Sequence, residues 1–352
     1  MTLEKLLEEI PQPNQAARAQ AQARWDAIAK PLHSLGLLEE AVVRMAGITG
    51  SPEVKLGKKA VVVLCADNGV VEEGVTQTGQ EVTAVVAENM TTGATSVCHM
   101  AAVAGAAVLP VDMGCCRRLN DKVLDRCVRR GGTRNMAREP AMTRAECLQA
   151  IRAGAELVCD LQKEGYGLLA TGEMGIGNTT TSSAVASVLL NRSPEEVTGR
   201  GAGLSSQGLE RKISVIRQAI RLHRPDPADP IDVLSKVGGL DLAGLVGVYL
   251  GSALCRIPVL VDGFISAAAA LAAVRLCPGA GYALMASHVS REPAGRMVLE
   301  ALGLRPFLRA EMCLGEGTGA VAVMPLLEMA LAVYRGMTTF EETAIETYVP
   351  LD

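Results

Sequence analysis

The sequence is poor in aromatic residues, in histidine and in paired cysteine motifs. Phenylalanine, tyrosine and tryptophan make up 3% of the 352 residues, and there are four histidines, at positions 33, 99, 223 and 288. None of the ten cysteines belongs to a C-x-x-C pair, and the histidines stand apart from one another. This spacing excludes the common zinc motifs, so no metal site is expected. Most cysteines lie in apolar stretches, which is typical of reduced core residues.

The chain also lacks a strong charge of one sign and long charge-free runs. The net charge is −4, and the absence of a basic stripe argues against a nucleic-acid partner. The first 14 residues are acidic and amphipathic, unlike a signal peptide. The longest apolar stretches free of charge, 242–255 and 263–274, are too short to span a bilayer. The pattern predicts a cytoplasmic protein without a membrane partner.

What the chain has in abundance are small and aliphatic residues arranged as strand, turn and helix. Hydrophobic residues account for 49% of the sequence, and there are 36 glycines. Apolar, β-branched runs predict strands at 59–66, 106–111, 167–170 and 258–261, and a helical pattern covers 82–104. Repetition of this unit predicts an α/β fold, a doubly wound and mostly parallel sheet with helices on both faces.

Two segments share one design, an apolar run that ends in a glutamate surrounded by glycines. They are GLLATGEMGIGNTTTSSA at 167–184 and MCLGEGTGAVA at 312–322. Glu173 and Glu316 are predicted to lie in glycine turns at strand ends, where a poorly hydrated carboxylate is a candidate general base. The alternative is ordinary turn chemistry, which a single glycine-rich loop would favour.

The first glycine loop leads into a helix start rich in hydroxyl and amide groups at 178–181, and TGRGAG at 198–203 is a second candidate anion cradle. The glycine spacing G-x-x-G-x-G is not the dinucleotide fingerprint, and no lysine precedes the threonines as a P-loop requires. No G-x-S-x-G motif is present. Anion binding combined with carboxylates suits the transfer of a phosphorylated sugar through a cationic transition state.

Several longer segments resemble one enzyme family over essentially the whole chain. They are KPLHSLGLLEE, CADNGVVEEGV, GEMGIGNTTT, DVLSKVGGLDLAGLVGVYLG, VLVDGFISAAAALAA, SHVSRE and LGEGTGA. The chain resembles nicotinate-nucleotide:dimethylbenzimidazole phosphoribosyltransferases. The resemblance implies transfer, with inversion, of the phosphoribosyl group of nicotinate mononucleotide to an aromatic lower-ligand base in cobamide assembly. It implies an α-ribazole-type 5′-phosphate and nicotinate as products, and no metal or other cofactor.

The resemblance also assigns residues and an organisation. It implies Glu316 as the catalytic base and Glu173 as a second active-site glutamate. For the phosphate and ribose it implies Gly175, Gly177, Asn178, Thr179, Gly201, Lys212, Asp241, Asp262 and Ser290, and for the base Thr78, Val86 and Leu314. Read without the family, Lys212 would be a solvated helix lysine. The implied organisation is an α/β catalytic domain at 51–335 and a smaller helical domain from 1–50 and 336–352, in a homodimer.

The acceptor pocket departs from the family pattern. Thr78-Gly79 replaces a usual Ser-Pro, Val86 stands at a usual glutamine, and Cys313 stands at a usual arginine. An apolar Val86 removes a hydrogen-bond partner, so a phenolic acceptor is an open alternative, with this chain as one subunit of a heterodimer. A catalytically silent subunit is a third hypothesis, which the two retained glutamates disfavour. The roles of Cys115, Cys116 and Cys313 stay open.

Overall fold

The computed structural model of the protein describes residues 2–343 and 345–348. In this part of the chain six strands form one parallel sheet. The strands are β1 (Lys58–Ala66), β2 (Ala107–Gly114), β3 (Leu124–Asp125), β4 (Tyr166–Met174), β5 (Val259–Val261) and β6 (Leu284–Ala286). Their order across the sheet, β3-β2-β1-β4-β5-β6, is that of a doubly wound fold, which confirms the predicted class.

Helices connect the strands and extend the chain at both ends. The helices of the described residues are α1 (Leu3–Glu9), α2 (Gln15–Ala27), α3 (Leu37–Thr49), α4 (Glu81–Met90), α5 (Ser96–Ala104), α6 (Arg144–Lys163), α7 (Asn178–Leu190), α8 (Pro194–Val197), α9 (Ser206–His223), α10 (Pro230–Val237), α11 (Leu240–Leu254), α12 (Phe264–Leu276), α13 (Ala294–Ala301) and α14 (Thr318–Gly336). Helix α6 begins at a capping box, in which Thr143 and Glu146 each bind the other's backbone N–H.

The sheet has a hydrophobic core on each face because successive strand residues point in opposite directions. In β1, Ala60 and Val62 belong to a core completed by helices α6 to α13. Val61 and Val63 belong to a second core, completed by α2 to α5 and α14. All four side chains are fully buried, which explains why this strand is a continuous apolar run.

Helices α6 and α11 pack so closely that their backbones touch. A methyl group at Gly154 of α6 would collide with the carbonyl oxygen of Gly244 in α11. A methyl group at Gly247 of α11 would collide in turn with the carbonyl oxygen of Ile151 in α6. Glycine is therefore required at this crossing, and the two helices form one rigid unit.

The two ends of the chain meet beside the sheet. The rings of Trp25 in α2 and Tyr334 in α14 have centroids 5.1 Å apart. The backbone N–H of Phe340 donates to the carbonyl of Ala27 over 2.9 Å. These contacts join the terminal segments, whereas the division into domains at residues 50 and 335 stays a prediction. Residues 344 and 349–352 of the predicted carboxyl-terminal segment lie outside the described residues.

The single helix predicted at 82–104 is wrong. The chain instead forms α4 and α5, which are separated by a turn at residues 91–95. Gly93 in this turn has a φ angle of +81°, a left-handed conformation that ends a right-handed helix.

Helix α14 is long and apolar enough to cross a bilayer by length and composition alone, and half of its most apolar window is buried inside the protein. Val321, Met324 and Leu327 of this helix belong to the second core. The helix therefore packs as a core helix of the α/β fold.

Candidate active site

The sheet has its topological switch point between the neighbouring strands β1 and β4. Strand β1 continues to β2 on one side, and β4 continues to β5 on the other. In open α/β sheets, ligands bind outside the carboxyl ends of the strands at such a point. Asp67 and Asn68 follow β1, Glu173 lies at the end of β4, and Asp262 follows β5. This edge of the sheet is the candidate site.

Glu173 lies in a strand, so its predicted placement in a glycine turn is wrong. Strand β4 continues to Met174, and Glu173 pairs with Leu64 of β1. Glu173 is 6% exposed, and the side-chain amide of Asn178 donates a hydrogen bond to its Oε2. The strand and this amide together hold the carboxylate in one position.

Glu316 lies in a glycine turn, as predicted. Its φ angle is +61°, and the flanking Gly315 and Gly317 have φ angles of +88° and +86°. A non-glycine residue in this left-handed region costs on the order of 1–3 kcal/mol, which is typical of functional sites. Oε2 of Glu316 is buried and has no hydrogen-bond partner among the described residues. The turn thus presents a carboxylate oxygen that is free to accept a proton.

Asp262 holds the turn that carries Glu316 in place through two hydrogen bonds. Its Oδ2 accepts a hydrogen bond from the N–H of Gly317 over 3.3 Å, and its Oδ1 accepts one from Ala320 over 3.0 Å. These are N–H groups at the start of α14, so Asp262, which follows β5, caps that helix. His288 is buried beside it, with Nδ1 3.9 Å from Oδ1 of Asp262. Both oxygens of Asp262 are therefore used to position Glu316.

The two glutamate segments are in direct contact. A methyl group at Gly172 would lie 2.6 Å from the carbonyl carbon of Glu316, and one at Gly315 would lie 2.7 Å from Oε1 of Glu173. Glycine is needed at both places because each segment packs against the other's backbone or carboxylate. The two segments that carry a glutamate among glycines therefore lie at one site.

The site collects carboxylates that are poorly hydrated. Burial, with the charges of Asp241 and Asp262, holds the pKa of Glu173 well above its usual range. Burial also raises the pKa of Asp241 to about 6 and raises the pKa of Glu316, the latter partly opposed by the backbone N–H of Val97. No group of acids and histidines suited to a metal ion is found in the described residues. The cluster of poorly hydrated carboxylates favours a cationic ligand or a proton shared between two of them.

Lys212 is completely buried, so reading it as a solvated helix lysine is wrong. Its Nζ donates to Oγ1 of Thr179 over 2.8 Å and to the carbonyl of Gly199 over 3.2 Å. Burial lowers the pKa of Lys212 to about 8, and the charge of Glu292 partly opposes this. No carboxylate lies within 4 Å of the ammonium group among the described residues. A buried cation with no carboxylate in direct contact is suited to an anionic ligand.

The glycines around Lys212 leave room for that ligand. Gly201 has a φ angle of +53°, and a methyl group there would lie 2.9 Å from Oγ1 of Thr179 and 3.5 Å from Nζ of Lys212. Gly177 precedes α7 with a φ angle of +92°. A methyl group at Gly175 would lie 2.9 Å from Oδ2 of Asp241. Open backbone therefore borders both the lysine and the carboxylates.

Ser290 lies at the margin of this arrangement. Its Oγ accepts a hydrogen bond from the N–H of Glu292 over 3.3 Å, and its Cβ would be 3.5 Å from a methyl group at Gly263. It is thus next to the end of β5 and is held within its own loop.

The predicted base-binding residues differ widely in exposure. Thr78 is exposed, and its carbonyl accepts a hydrogen bond from Oγ1 of Thr76. Val86 is half-buried against the second core. Leu314 is 58% exposed although it is only two residues from Glu316, and Cys313 is exposed as well. An exposed apolar side chain beside a buried carboxylate is suited to cover a flat apolar ligand.

Two residues that the sequence did not single out support the glycine loop. The buried Asn68 donates from Nδ2 to the carbonyl of Ile176 over 3.4 Å, and Oγ1 of Thr83 accepts from the N–H of Ile176 over 3.1 Å. The position of Asn68 in the turn two residues after a predicted strand was the available signal. Thr83 gave none, because it lies inside an ordinary helical pattern.

Comparison with known proteins agrees with this arrangement. The sequence model of the family DBI_PRT, described as phosphoribosyltransferase, matches residues 10–345. The chain belongs to this family. A protein of Acetivibrio thermocellus named nicotinate-nucleotide–dimethylbenzimidazole phosphoribosyltransferase is 50% identical over 94% of each chain. A protein of the same name from Ruminiclostridium cellulolyticum is 46% identical over the full length of both.

Solved structures show the same fold. The crystal structure of CobT from Thermus thermophilus is 42% identical to this chain and covers 95% of it, with a TM-score of 0.89. A second crystal structure of the enzyme from the same organism superposes with a TM-score of 0.88, again at 42% identity and 95% coverage. The predicted family and fold are confirmed.

Proposed function

We propose that this phosphoribosyltransferase transfers the phosphoribosyl group of nicotinate mononucleotide to a base of the dimethylbenzimidazole type. The new glycosidic bond forms with inversion at the ribose and yields an α-ribazole-type 5′-phosphate and nicotinate. The names of relatives at 44–50% identity support this substrate pair. The reaction supplies the lower-ligand nucleotide for cobamide assembly.

The phosphate of the donor is held at Lys212. The ammonium group contributes positive charge. Gly201 has no side chain to fill the space next to the ammonium group, and Thr179 provides a hydroxyl group beside it. Gly175, Gly177 and Ser290 border the rest of the donor, as the family resemblance implies. A phosphate here would remove the cost of burying an unpaired cation, so donor binding and lysine protonation reinforce each other.

The donor's ribose reaches the carboxylates because adjacent residues of α7 serve the two halves of the site. Asn178 donates to Glu173, and the next residue, Thr179, accepts from Lys212. A sugar phosphate anchored at the lysine therefore has its ring directed toward Glu173, Asp241 and Glu316. As the bond to the pyridinium ring breaks, positive charge develops on the ribose, and this cluster of carboxylates stabilises it.

Glu316 removes the proton from the acceptor. The observation that carries this role is its Oε2, which is buried and unpartnered in a strained turn. A raised pKa makes this carboxylate a stronger base than a solvated glutamate. The leaving nicotinate departs neutral at its ring nitrogen and needs no acid. Leu314 and Val86 provide apolar surface for the acceptor, with Thr78 at the rim.

The test is a panel of acceptors with purified protein and nicotinate mononucleotide. We expect nicotinate release that depends on dimethylbenzimidazole and a product with the α configuration by NMR. Absence of turnover with every aromatic acceptor would remove the proposal, although membership of the family would stand.

A phenolic acceptor is the second candidate, which the half-buried, apolar Val86 and the exposed Cys313 favour. In that case the chain could act as one subunit of a heterodimer with a homologue. Direct competition between dimethylbenzimidazole and p-cresol separates the two candidates. A silent subunit is disfavoured by the intact pair of glutamates, and activity of the purified chain alone would exclude it.

The remaining features follow from the family resemblance. We propose a homodimer in the cytoplasm, working on small molecules without a metal or other cofactor. The contacts between the amino-terminal helices and residues 338–340 support a smaller helical domain made of 1–50 and 336–352 beside the catalytic domain at 51–335.

A further inference from the structure

Two cysteines face each other at the end of the closely packed helices α6 and α11. The sulfur atoms of Cys159 and Cys255 are 3.1 Å apart, and neither residue is in a disulfide. Cys159 lies near the end of α6 and is partly exposed, whereas Cys255 directly follows α11 and is 7% exposed. Cys159 is thus the residue nearer to solvent, and Cys255 is buried beside it.

Contacts around the two cysteines keep their sulfur atoms close together. Gln162, one turn after Cys159 in α6, donates from Nε2 to the carbonyl oxygen of Cys255 over 2.7 Å. The glycine-mediated crossing at Gly154 and Gly247 keeps the helix backbones in contact along the same pair. The approach of the two sulfurs is therefore a property of two rigid helices and does not depend on a mobile loop.

We propose that Cys159 and Cys255 are an oxidation site that closes to an intramolecular disulfide in the presence of a hydroperoxide. The thiolate of Cys159 attacks the peroxide O–O bond and becomes a sulfenic acid, with hydroxide as the leaving group. The thiol of Cys255 then attacks this sulfur, the S–S bond forms, and water leaves. Overall, two thiols and one hydrogen peroxide give one disulfide and two waters.

The burial of the two residues assigns the order of events. Burial raises the pKa of the Cys255 thiol to about 12, with a contribution from the neighbouring Cys159, so Cys255 does not react first. Lys163, one turn beyond Cys159 in α6, has a side chain that is 75% exposed, so this end of α6 faces solvent. Cys159 is thus the residue that meets the oxidant, and Cys255 resolves the sulfenic acid before further oxidation.

Closing the disulfide requires little movement. The sulfurs must approach from 3.1 Å to about 2.0 Å, a change of about 1 Å. The bond would link α6 to the end of α11, whose first turn carries Asp241 of the candidate site. Because the crossing is already rigid, we expect the oxidised protein to keep its fold and to resist unfolding better than the reduced protein.

The experiment oxidises the purified full-length protein with hydrogen peroxide and maps its thiols by mass spectrometry without reduction. Trypsin places Cys159 in the peptide 153–163 and Cys255 in the peptide 237–256. We expect these two peptides to become linked, with a mass loss of about 2 Da relative to the two thiols. The oxidised protein should show a melting temperature higher by about 5 °C, reversed by dithiothreitol.

Variants distinguish this dithiol from general oxidation. Cys159→Ser should abolish both the link and the shift in melting temperature, and Cys255→Ser should leave Cys159 as a sulfenic acid that dimedone traps. Cys277→Ser, which removes a half-buried thiol elsewhere, should behave like the unmodified protein. Gln162→Ala should slow closure severalfold. If the unmodified protein keeps both thiols free under peroxide, or links either of them to a different cysteine instead, the proposal is wrong.

Discussion

The two glutamates of the site have the same sequence surroundings but different structural ones. Glu173 lies in a regular strand, is almost completely buried, and accepts a hydrogen bond from Asn178. Glu316 lies in a left-handed turn, is half-buried, and keeps Oε2 without a partner among the described residues. The difference indicates two roles. We propose that the fixed and bonded carboxylate of Glu173 tunes the charge of the site, whereas the strained carboxylate of Glu316, with its free oxygen, exchanges protons.

Replacing the carboxylate of Glu316 by an amide should have the largest effect on the rate. We expect Glu316→Gln to lower kcat by about 10²–10⁴-fold, because general-base assistance is lost while the shape of the side chain is kept. The KM for nicotinate mononucleotide should change little, since the proposed phosphate contact at Lys212 is kept. Steady-state assays of nicotinate release measure both constants. A drop of less than fivefold in kcat would remove the distinction between the two glutamates.

The two proposed roles of Glu173 and Glu316 also require that the donor's phosphate is held at a fixed distance from both residues. Lys212→Met should raise the KM for nicotinate mononucleotide by about 10–100-fold, because a charged hydrogen bond to phosphate contributes roughly 1.5–3 kcal/mol. Lys236→Met, which removes a partly exposed lysine far along the next helix, is the control. An unchanged KM in Lys212→Met would place the phosphate elsewhere.

The same substitution should stabilise the unliganded protein. The pKa of Lys212 is lowered to about 8 in the folded state, so the unfolded chain binds more protons between pH 8 and its ordinary value of 10.5. Stability therefore rises with pH across this window, and the full cost of the buried charge is present below pH 8. We expect Lys212→Met to raise the unfolding free energy at pH 7 by about 1–3 kcal/mol. Urea titration at pH 7 and pH 10 should show the gain shrinking at the higher pH.

A smaller effect on rate is expected for Glu173→Gln. Glutamine keeps the acceptor for Asn178 but cannot carry charge, so kcat should fall about tenfold, far less than for Glu316→Gln. The folded-state pKa of Glu173 is raised, so the folded protein binds the extra proton and loses stability as pH rises above about 4.5. Glu173→Gln should flatten that decline in melts between pH 5 and pH 8. A steeper decline in the variant would contradict the raised pKa.

The smallest effect is expected at the acceptor, where neither glutamate is changed. Val86→Gln should restore a polar partner and shift the ratio of kcat/KM values toward dimethylbenzimidazole over p-cresol by about tenfold, or roughly 1.4 kcal/mol. Val85→Gln, at an exposed neighbouring position, is the matched control. If both variants behave alike, Val86 does not contact the acceptor.

The main features of the fold could be predicted from the sequence because they depend on local patterns. Within the predicted strand 59–66, residues 60–66 are all apolar and include three consecutive valines, which predicts a strand buried on both faces, and residues 60–66 of β1 are buried. The strands β3, β5 and β6 are two or three residues long, too short for periodicity to reveal β3 or β6. Strand β4 extends past its predicted end because its pairing with β1 continues to Met174. The glycine at position 172 is required by contact with Glu316, a residue far away in the chain.

The candidate site was less predictable, since burial depends on tertiary packing. Lys212 lies three, four and seven residues before Val215, Ile216 and Ala219, on the buried face of α9. That spacing was a signal available in the sequence, because it places the lysine on the apolar stripe of the helix. The contact between Glu173 and Glu316 gave no such signal, since similar loops need not meet. The two segments meet because β4 pairs with β5, and Asp262 after β5 binds the turn that carries Glu316.

The proton-accepting role of Glu316 can be tested most directly by changing the acidity of the acceptor. The ratio of kcat for the unmodified protein to kcat for Glu316→Gln should be measured with dimethylbenzimidazole and with a nitro-substituted benzimidazole, whose ring N–H is more acidic. If Glu316 removes that proton, the ratio should be at least tenfold smaller for the more acidic acceptor, because less assistance is needed. An equal ratio for both acceptors would show that Glu316 does not act as the base.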